Sequence, residues 1–418
     1  MGTVPKKGSS RIRLIHDCSR PDGQALNDYA YNNPFHYQTI QDATDLIGHG
    51  DFMAKIDLSN AFRSVRIHPS NFCATGLQWT FCNQAKPTYL IDTRLPFGAK
   101  RSPEIFNELT QAVRRIMSSW GHDRIIAYLD DFLVIGSSYQ DCLHKMRCLL
   151  DLLRHLGFSI NYGKVCSPTQ RIVFLGIILD SISMHLELPS NKIEDLKSCL
   201  KSAQQRTKIT KRGLQSLVGK LNWATQAVYG GRFYLRRLLD KIHDLRLPWH
   251  RTRITSDMRK DITWWLLFMD TFNGTVPMLD KRPLTPVHID ACPVAGGAVY
   301  KNQFVYTPWS TWPEAQHLHI NHKETLSLEP AVVRWASQWA NKKVLVHCDN
   351  QTAVAVINRG TSRNHTVMAS LRRIFWWSAI FNFRLKAIYY PGVQNNVADA
   401  VSRLHDPYYA RKLTSLVI

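Results

Sequence analysis

The chain has 418 residues, and its 44% hydrophobic and 11% aromatic content is typical of a soluble globular protein with about two to four domains. Lys and Arg number 53 against 32 Asp and Glu, and the net charge of +21 indicates a polyanionic partner, with nucleic acid the leading candidate. The longest strongly apolar stretch, WWLLFM, is too short to span a bilayer, which argues against a membrane protein.

The nine cysteines and the N-terminal segment indicate in which cellular compartment the protein is expected. No CxxC pair occurs, so neither a disulfide framework nor a zinc ribbon is indicated. The N-terminus lacks the apolar segment of a secretory signal, and Lys6 stands where a myristoylation motif needs Ser or Thr. We therefore expect an intracellular protein, in the cytoplasm or the nucleus, that is neither secreted nor anchored to a membrane.

The first region alternates short apolar strands with longer helices, which predicts a mixed α/β domain. In AKIDLSNAFRSVRI, residues 54–67, an apolar strand ends at Asp57 and a helical turn follows. KRSPEIFNELTQAVRRIM predicts a helix capped by Ser102, with Pro103 at its first position. Its expected buried face consists of Ile105, Leu109, Val113 and Ile116.

The segment IIAYLDDFLVIG, residues 125–136, places two carboxylates inside an apolar pattern. It predicts a hairpin with Asp130 and Asp131 at its tip, and a solvated turn is the simplest alternative. If Asp57 lies beside them, charges about 4 Å apart repel by roughly 4 kcal/mol per pair at an effective dielectric near 20. Such an arrangement needs divalent cations, and oxygen ligands suit two Mg²⁺ ions that bind the attacking and leaving oxygens of phosphoryl transfer.

A basic helical region follows, with 17 Lys and Arg against 6 Asp and Glu in residues 187–260. Two prolines between 280 and 290 then precede a strand-rich pattern, which predicts a domain boundary near 284.

The last region repeats the pattern of carboxylates at strand ends. One strand ends at Asp290 before an expected glycine turn, and another ends at Asp349 before a helix that Gly360 stops. HINHKETLSL contributes Glu324, and Asp399 lies on a short helix with an expected cap at Asn395 or Asn396. Four carboxylates converging on a mixed sheet predict a second two-metal phosphodiester site.

These motifs resemble retroelement proteins. YLDD in a hairpin, the strand ending in Asp57, LPFGAKRSPEIFNE and FLGIILD occur in the order found in a reverse transcriptase palm, and PGVQNNVADAVSR is similar to retroelement ribonuclease H. VPKKGSSRIRLIHDCSRP is most similar to DIRS-type retrotransposons, with Ty3-type LTR elements next. The resemblance implies a multidomain α/β and α+β fold, a right-hand polymerase (fingers, palm and thumb) followed by a ribonuclease H-like mixed-sheet domain.

The implied domains are partial fingers and palm (1–186), a basic helical thumb (187–245), a connection (246–283), ribonuclease H (284–405) and a C-terminal tail (406–418). The chain begins at a fingers strand, so it resembles part of a longer polyprotein. The aromatic residues of the thumb either stack on a nucleic acid or belong to its core; they are Trp223, Tyr229, Phe233 and Tyr234.

The resemblance also implies roles for polymerase residues. Asp57, Asp130 and Asp131 are the catalytic metal ligands, and Phe62 is either the steric gate against a ribose 2′-OH or a core aromatic. Lys6 and Arg13 grip the incoming triphosphate, with a solvated basic loop as the alternative for Lys6. Phe97 and Gly98 approach the nucleotide, Lys164 either assists pyrophosphate departure or is a plain surface lysine, and the primer grip is Phe174, Leu175 and Gly176.

For the ribonuclease H site, the resemblance implies Asp290, Glu324, Asp349 and Asp399 as catalytic metal ligands. Pro330 is expected to interrupt the helix after Glu324, and Glu329 is therefore the alternative ligand. Cellular relatives carry a mobile histidine before the last aspartate, and YYPGVQNNVA has none, which affects the expected turnover or product release.

The implied activity is RNA-directed DNA polymerisation from a DNA primer on an RNA template with dNTPs, followed by cleavage of the RNA strand of the RNA–DNA hybrid. Each site is expected to use two Mg²⁺ ions, with Mn²⁺ as a possible substitute. Two alternatives to this activity stay open. In the first, the chain is a degenerate or domesticated fragment that binds nucleic acid without catalysis. In the second, it is a polymerase whose second domain is only a structural tether. The sequence does not define the oligomeric state.

Overall fold

The computed structural model describes residues 2–5, 12–31, 33–228, 230–272, 274–278 and 282–417. The chain divides into two compact units, Met1–Leu186 and Glu187–Ile418. The finer predicted boundaries near 245, 283 and 405 lie inside the second unit and stay predictions. Among the described residues, no helix combines the length and apolar character needed to cross a membrane.

The first unit alternates strands and helices, as its sequence pattern predicts. Its strands are β1 (Gly2–Pro5), β2 (Ile12–Ile15), β3 (Phe52–Asp57), β4 (Gly76–Trp79), β5 (Thr88–Ile91), β6 (Ile125–Tyr128), β7 (Asp131–Gly136), β8 (Cys166–Thr169), β9 (Arg171–Phe174), β10 (Ile177–Asp180) and β11 (His185–Glu187). Its helices are α1 (Ile40–Leu46), α2 (Ala61–Ser64), α3 (Ser102–Ser119) and α4 (Tyr139–His155).

A four-stranded antiparallel sheet with the order β6-β7-β3-β8 forms the centre of this unit. Helices α3 and α4 pack on it, so that Phe106 and Leu149 share one buried cluster with Ile56 and Phe132. Burying a side chain of this size stabilises the fold by about 1.5–3 kcal/mol. The strand ends that carry Asp57 and Asp131 are therefore held by a well-packed core.

Helix α3 forms where the sequence predicts it, but two details differ. Ser102 is the first helical residue, and its buried hydroxyl donates to the Pro96 carbonyl oxygen at 2.8 Å instead of capping the helix. The buried apolar side chains are Phe106, Val113 and Met117, whereas Leu109 is 38% exposed. The helix is rotated from the predicted face because the larger Phe106 ring packs against other aromatic rings in the core.

The second unit combines a helical part with a mixed sheet. Its strands are β12 (Lys208–Thr210), β13 (Arg251–Arg253), β14 (Thr275–Pro277), β15 (Leu284–Ala291), β16 (Ala295–Tyr300), β17 (Gln303–Pro308), β18 (Lys343–Cys348) and β19 (Arg384–Tyr389). Its helices are α5 (Ser190–Gln205), α6 (Lys211–Ala224), α7 (Arg236–His243), α8 (Ser256–Phe272), α9 (Pro313–Gln316), α10 (Ile320–Leu326), α11 (Leu328–Trp335), α12 (Gln351–Arg359), α13 (His365–Ile380), α14 (Asn396–Ser402) and α15 (Pro407–Val417).

The mixed sheet has the strand order β17-β16-β15-β18-β19. The pairs β17–β16 and β16–β15 are antiparallel, whereas β15–β18 and β18–β19 are parallel. Parallel neighbours need long crossovers, and helices α12 and α13 form the one between β18 and β19. A core that includes Trp335, Trp339 and Phe383 packs against the sheet.

The glycine turn predicted after Asp290 is wrong. Residues 292–294 make the turn, and Gly296 and Gly297 lie inside β16. A Cβ at Gly297 would lie 2.5 Å from the backbone nitrogen of Ser402, and one at Gly296 would lie 2.5 Å from Ser327 Oγ. These glycines are therefore needed for the close approach of helices to the strand.

The predicted thumb segment contains helices α5, α6 and α7, and two of its aromatic residues pack against later parts of the unit. The ring of Phe233 stacks on Phe375 at 5.0 Å, and that of Tyr234 stacks on Trp264 at 4.0 Å. These contacts support the core alternative for both residues. Tyr229 lies outside the described residues. The segment predicted as a C-terminal tail contains α15, which packs on α14 through the buried Leu413.

Candidate active sites

The hairpin of β6 and β7 presents the first set of carboxylates. Tyr128 pairs with Asp131, so Leu129 and Asp130 form a two-residue turn, and Asp131 is the first residue of β7 rather than part of the turn. Leu129 has a φ of +50°, a conformation that costs a leucine some strain. On the other side of β7, Asp57 pairs directly with Asp131. The structure thus brings together the three carboxylates that the sequence analysis selected.

Three side chains hold two of these carboxylates. Lys164 Nζ donates to Asp57 Oδ2 at 2.9 Å, and Asn161 Nδ2 donates to Asp57 Oδ1 at 2.8 Å. Lys55 Nζ lies 2.9 Å from Asp131 Oδ1. Lys164 is therefore an ion-pair partner of Asp57 and not a plain surface lysine, although its side chain is 60% exposed.

The electrostatics of the site disfavour ionised carboxylates without a cation. Burial raises the pKa of Asp130, and the charges of Asp131 and Asp57 raise it further. Burial also raises the pKa of Asp131, against the opposing effect of Lys55. Carboxylate oxygens are the ligands that Mg²⁺ prefers, so the donor set suits that ion.

The ammonium groups occupy part of this donor set. In the part of the chain that the structure describes, the three carboxylates do not form a cluster whose oxygens all lie within 4.8 Å of one another. An ion that ligates Asp57 Oδ2 competes with Lys164, and one that ligates Asp131 Oδ1 competes with Lys55. A bound ion would therefore have to replace Lys164 or Lys55 at these oxygens.

Residues predicted to surround the nucleotide lie beside this sheet. The Phe62 ring lies 5.1 Å from that of Phe97 and 5.5 Å from that of Phe106, so it contacts both a predicted pocket residue and the core. Gly98 has a φ of +113°, and a Cβ there would lie 2.1 Å from the His16 carbonyl oxygen. Lys6 lies outside the described residues; Arg13 is described only in its backbone, paired with Val4.

The predicted primer grip is a tight hairpin between β9 and β10. Phe174 pairs with Ile177, and the turn residues Leu175 and Gly176 both have positive φ, +48° and +84°. Phe174 is fully buried. The geometry fixes the turn in space, and its contact with a primer stays a prediction.

The second set of carboxylates lies on the mixed sheet. Asp290 is in β15, Asp349 directly follows the neighbouring parallel strand β18, and Glu324 and Asp399 lie on helices α10 and α14. Ligand atoms of Glu324, Cys348 and Asp349 lie within 4.8 Å of one another. Asp290 interacts electrostatically with both Asp349 and Asp399. The fold thus brings all four predicted carboxylates together at one edge of the mixed sheet.

These carboxylates are strongly destabilised in their ionised form. Burial, and then the charges of Asp290 and Asp349, raise the pKa of Glu324 to about 9. Burial also raises the pKa of Asp290 to about 7, although Ser402 Oγ donates to Asp290 Oδ2 at 2.5 Å. The pKa of Asp349 is raised by burial as well. The carboxylate donors again fit Mg²⁺, which would restore their ionised state.

The contacts of Glu324 and Glu329 differ, and they distinguish the predicted metal ligand from its alternative. The helical path breaks between Leu326 and Leu328, and Pro330 lies in the first turn of α11. Glu329 Oε2 accepts from Arg373 Nη2 at 2.9 Å in a two-point ion pair. Glu329 therefore has a structural partner, whereas Glu324 interacts with Asp290 and Asp349.

Several neighbours of the carboxylates were not assigned a role from the sequence. Cys348 Sγ lies 3.8 Å from Glu324 Oε2, and Arg403 Nε donates to Asp399 Oδ1 at 2.7 Å. Arg403 follows Asp399 by four residues, the spacing of a helical ion pair, so this partner was detectable. The cap predicted at Asn395 is correct in position only: Asn395 is the N-cap of α14, but its side chain makes no cap bond and instead donates to the Ile289 carbonyl oxygen at 2.9 Å.

Comparisons with known proteins show which families this chain resembles. Residues 4–179 match the family described as reverse transcriptase (RNA-dependent DNA polymerase). The chain is 30% identical to the Gag-Pol polyprotein of Koala retrovirus over 180 residues, 42% of this chain and 10% of that protein. It is 22% identical to the Transposon Tf2-3 polyprotein of Schizosaccharomyces pombe over 428 residues, 96% of this chain and 28% of that protein. The chain therefore spans less than a third of these relatives.

Solved structures share the fold. A foamy viral protease-reverse transcriptase in complex with double-stranded DNA matches with a TM-score of 0.54 and 16% identity, over 93% of this chain and 64% of that one. The foamy viral enzyme in complex with an RNA/DNA hybrid matches with a TM-score of 0.53 and 18% identity, over 93% and 49%. The predicted fold class, a right-hand polymerase followed by a ribonuclease H-like domain, is confirmed. Residues 4–179 are therefore similar to the reverse transcriptase family, and the matching relatives are retroviral and transposon polyproteins.

Proposed function

We propose that the chain is an RNA-directed DNA polymerase that extends a DNA primer on an RNA template with dNTPs, and that residues 284–405 within its second unit are a ribonuclease H. The observation that carries the proposal is the direct pairing of Asp57 with Asp131, beside Asp130 in the adjacent turn. The proposed setting is retrotransposon replication, in a DIRS-type element with Ty3-type elements next. The proposed compartment is the cytoplasm or the nucleus.

In the polymerase site, Asp57, Asp130 and Asp131 would hold two Mg²⁺ ions, which would supply positive charge to the oxygens of the phosphoryl group. Lys164 stabilises Asp57 in the absence of ions and is free to contact the nucleotide or pyrophosphate when an ion displaces it. Phe62 is held by Phe97 and Phe106, so its ring cannot turn away easily from a ribose 2′-OH. Such a fixed ring favours dNTPs.

In the ribonuclease H site, Asp290, Glu324, Asp349 and Asp399 would hold two further ions, which would supply positive charge to the phosphate that is cleaved in the RNA. Ser402 orients Asp290, and Arg403 orients Asp399. Specificity for RNA in a hybrid comes from contacts with 2′-hydroxyl groups in a wide, shallow minor groove. Removal of the RNA from the hybrid that the polymerase makes lets second-strand synthesis proceed.

The charge and the comparisons support these partners. The net charge of +21 favours binding to a phosphate backbone. Foamy viral relatives of this fold form complexes with double-stranded DNA and with an RNA/DNA hybrid. We infer that RNA–DNA hybrid and duplex DNA are the polyanions that the basic surface binds.

Two assays with the whole chain test the proposal. A DNA primer annealed to RNA and incubated with dNTPs and Mg²⁺ should be extended, and labelled RNA in a preformed hybrid should be cut. EDTA should abolish both activities, and Mn²⁺ should restore them. Binding of the hybrid with neither activity, in Mg²⁺ or Mn²⁺, would support the degenerate nucleic-acid-binding alternative and overturn the proposal.

A further inference from the structure

A cluster of metal-ligand side chains lies in the first unit, apart from the two carboxylate sites. His122 follows helix α3, and His144 and Cys148 lie four residues apart on helix α4. Their ligand atoms all lie within 4.8 Å of one another. Side chains at positions i and i+4 share one face of a helix, so α4 presents two ligands to the turn that presents the third.

The spacing within the cluster matches tetrahedral coordination. The Cys148 Sγ lies 3.7 Å from His144 Nε2. Zinc bonds of roughly 2.3 Å to sulfur and 2.0 Å to nitrogen, meeting at a tetrahedral angle, separate those two atoms by about 3.5 Å. The rings of His122 and His144 are nearly perpendicular, with centroids 5.6 Å apart, so both can direct a nitrogen toward one point. The side chains thus need little rearrangement to share an ion.

The environment permits an ion to enter. His144 is exposed, and His122 and Cys148 are partly buried. Lys145 of α4, which interacts electrostatically with His122, donates to Asp141 Oδ2 at 2.7 Å, so much of its charge is balanced. Burial lowers the pKa of His122, and the proximity of His144 and Lys145 lowers it further, which favours the neutral imidazole that metals bind.

We propose that His122, His144 and Cys148 form a transition-metal site whose occupant is Zn²⁺. Two imidazoles and one thiolate are ligands that Zn²⁺ accepts and Mg²⁺ does not. The fourth position is open to water. The ion links the turn after α3 to helix α4, at the opposite end of the β6–β7 hairpin from Asp130. It therefore stabilises the support of the first carboxylate site without taking part in it.

Cobalt is the probe for this site, because a thiolate bound to Co²⁺ gives a charge-transfer absorption that carboxylate sites do not. The whole, metal-free chain is titrated with Co²⁺ in the presence of excess Mg²⁺. We expect one equivalent to produce the band and added Zn²⁺ to remove it. The band should be absent in Cys148→Ala and at least tenfold weaker in Co²⁺ affinity in His144→Ala.

Matched variants locate the ion. Cys348→Ala removes the thiol beside Glu324 in the other cluster, and His155→Ala removes an exposed histidine of the same helix; both should keep the band. Zn²⁺ should raise the melting temperature of the wild type and of His155→Ala but leave that of Cys148→Ala unchanged. The proposal is overturned if no band forms at stoichiometric Co²⁺, or if the band persists in Cys148→Ala.

Discussion

The two carboxylate sites balance their negative charge in different ways. In the first, Lys164 and Lys55 contact Asp57 and Asp131 directly. In the second, Arg403 contacts Asp399, whereas Glu324 and Asp290 have raised pKa values of about 9 and about 7. Without bound ions, the first site relies in part on ammonium groups, whereas the second relies mainly on protons.

The difference teaches how each site should respond to Mg²⁺. An ion entering the first site displaces a lysine, so its net gain is reduced by the loss of an ion pair. An ion entering the second site displaces protons, so its binding depends strongly on pH. The two proposed activities should therefore separate when pH or single residues are changed.

The largest expected effect is on hybrid cleavage when Glu324 is neutralised. Glu324→Gln removes a carboxylate that interacts with Asp290 and Asp349, and we expect a loss of roughly 10³-fold in cleavage rate, with primer extension unchanged. Glu329→Gln breaks only the ion pair with Arg373 and should keep cleavage within a few-fold. If Glu329→Gln has the larger effect, the assignment of these two residues must be exchanged.

The stability of the metal-free protein should fall as pH rises. Glu324 and Asp290 have folded pKa values above those of the unfolded chain, so the folded state binds more protons between about pH 4 and pH 9, and that advantage is lost through this window. Each group lowers the free energy of unfolding by at most about 1.4 kcal/mol per pH unit. Unfolding midpoints measured in EDTA should show the decline, and Mg²⁺ should reduce it.

A variant with fewer titrating groups checks the origin of that decline. The pH dependence of Glu324→Gln should be clearly shallower than that of the wild type, whereas Glu329→Gln should match the wild type. Equal slopes in wild type and Glu324→Gln would contradict the electrostatic description of the second site.

A methyl group at Gly297 should disturb the second site through packing. Its Cβ would lie 2.5 Å from the Ser402 nitrogen, which forces α14 and Asp399 outward, and overpacking of this kind costs about 1–3 kcal/mol. Chemical denaturation should show that loss in Gly297→Ala, together with slower cleavage. The control is Gly219→Ala in α6, where a Cβ meets nothing within 4 Å and should stabilise by about 0.5–1 kcal/mol. Equal stability of the two variants would show that α14 does not pack as described.

The smallest expected effect concerns Lys164. Because its side chain is mostly exposed, the ion pair with Asp57 is worth only about 0.2–1 kcal/mol. Lys164→Met should therefore lower the Mg²⁺ concentration for half-maximal primer extension by about 1.5–5-fold, with no change in hybrid cleavage. A higher Mg²⁺ requirement would mean that Lys164 assists the ion instead of competing with it.

The sequence predicted the positions of the carboxylates well because each lies at a strand end or on a short helix marked by local pattern. Gly360 indeed ends α12 with a φ of +63°. The sequence did not predict the partners of these carboxylates, because Asn161 and Lys164 lie more than 100 residues from Asp57 and meet it only through tertiary packing. The place of Lys55 at the site could have been predicted, because it lies two residues before Asp57 on the same face of β3.

Other differences have the same origin. Ser102 and Asn395 carry the residue types of helix caps, but each side chain finds a carbonyl oxygen elsewhere in the fold. Gly296 and Gly297 indicate a turn in the local pattern, yet the close approach of helices requires them inside a strand. Local propensity thus located the elements, and long-range packing determined their faces and partners.

The most direct measurement of the central claim compares Asp130→Asn with Asp349→Asn in both assays. The two-site account predicts that Asp130→Asn loses primer extension by about 10³-fold and keeps hybrid cleavage, and that Asp349→Asn shows the reverse. Loss of both activities in either variant, with an unchanged melting temperature, would contradict the assignment of separate sites to the two units.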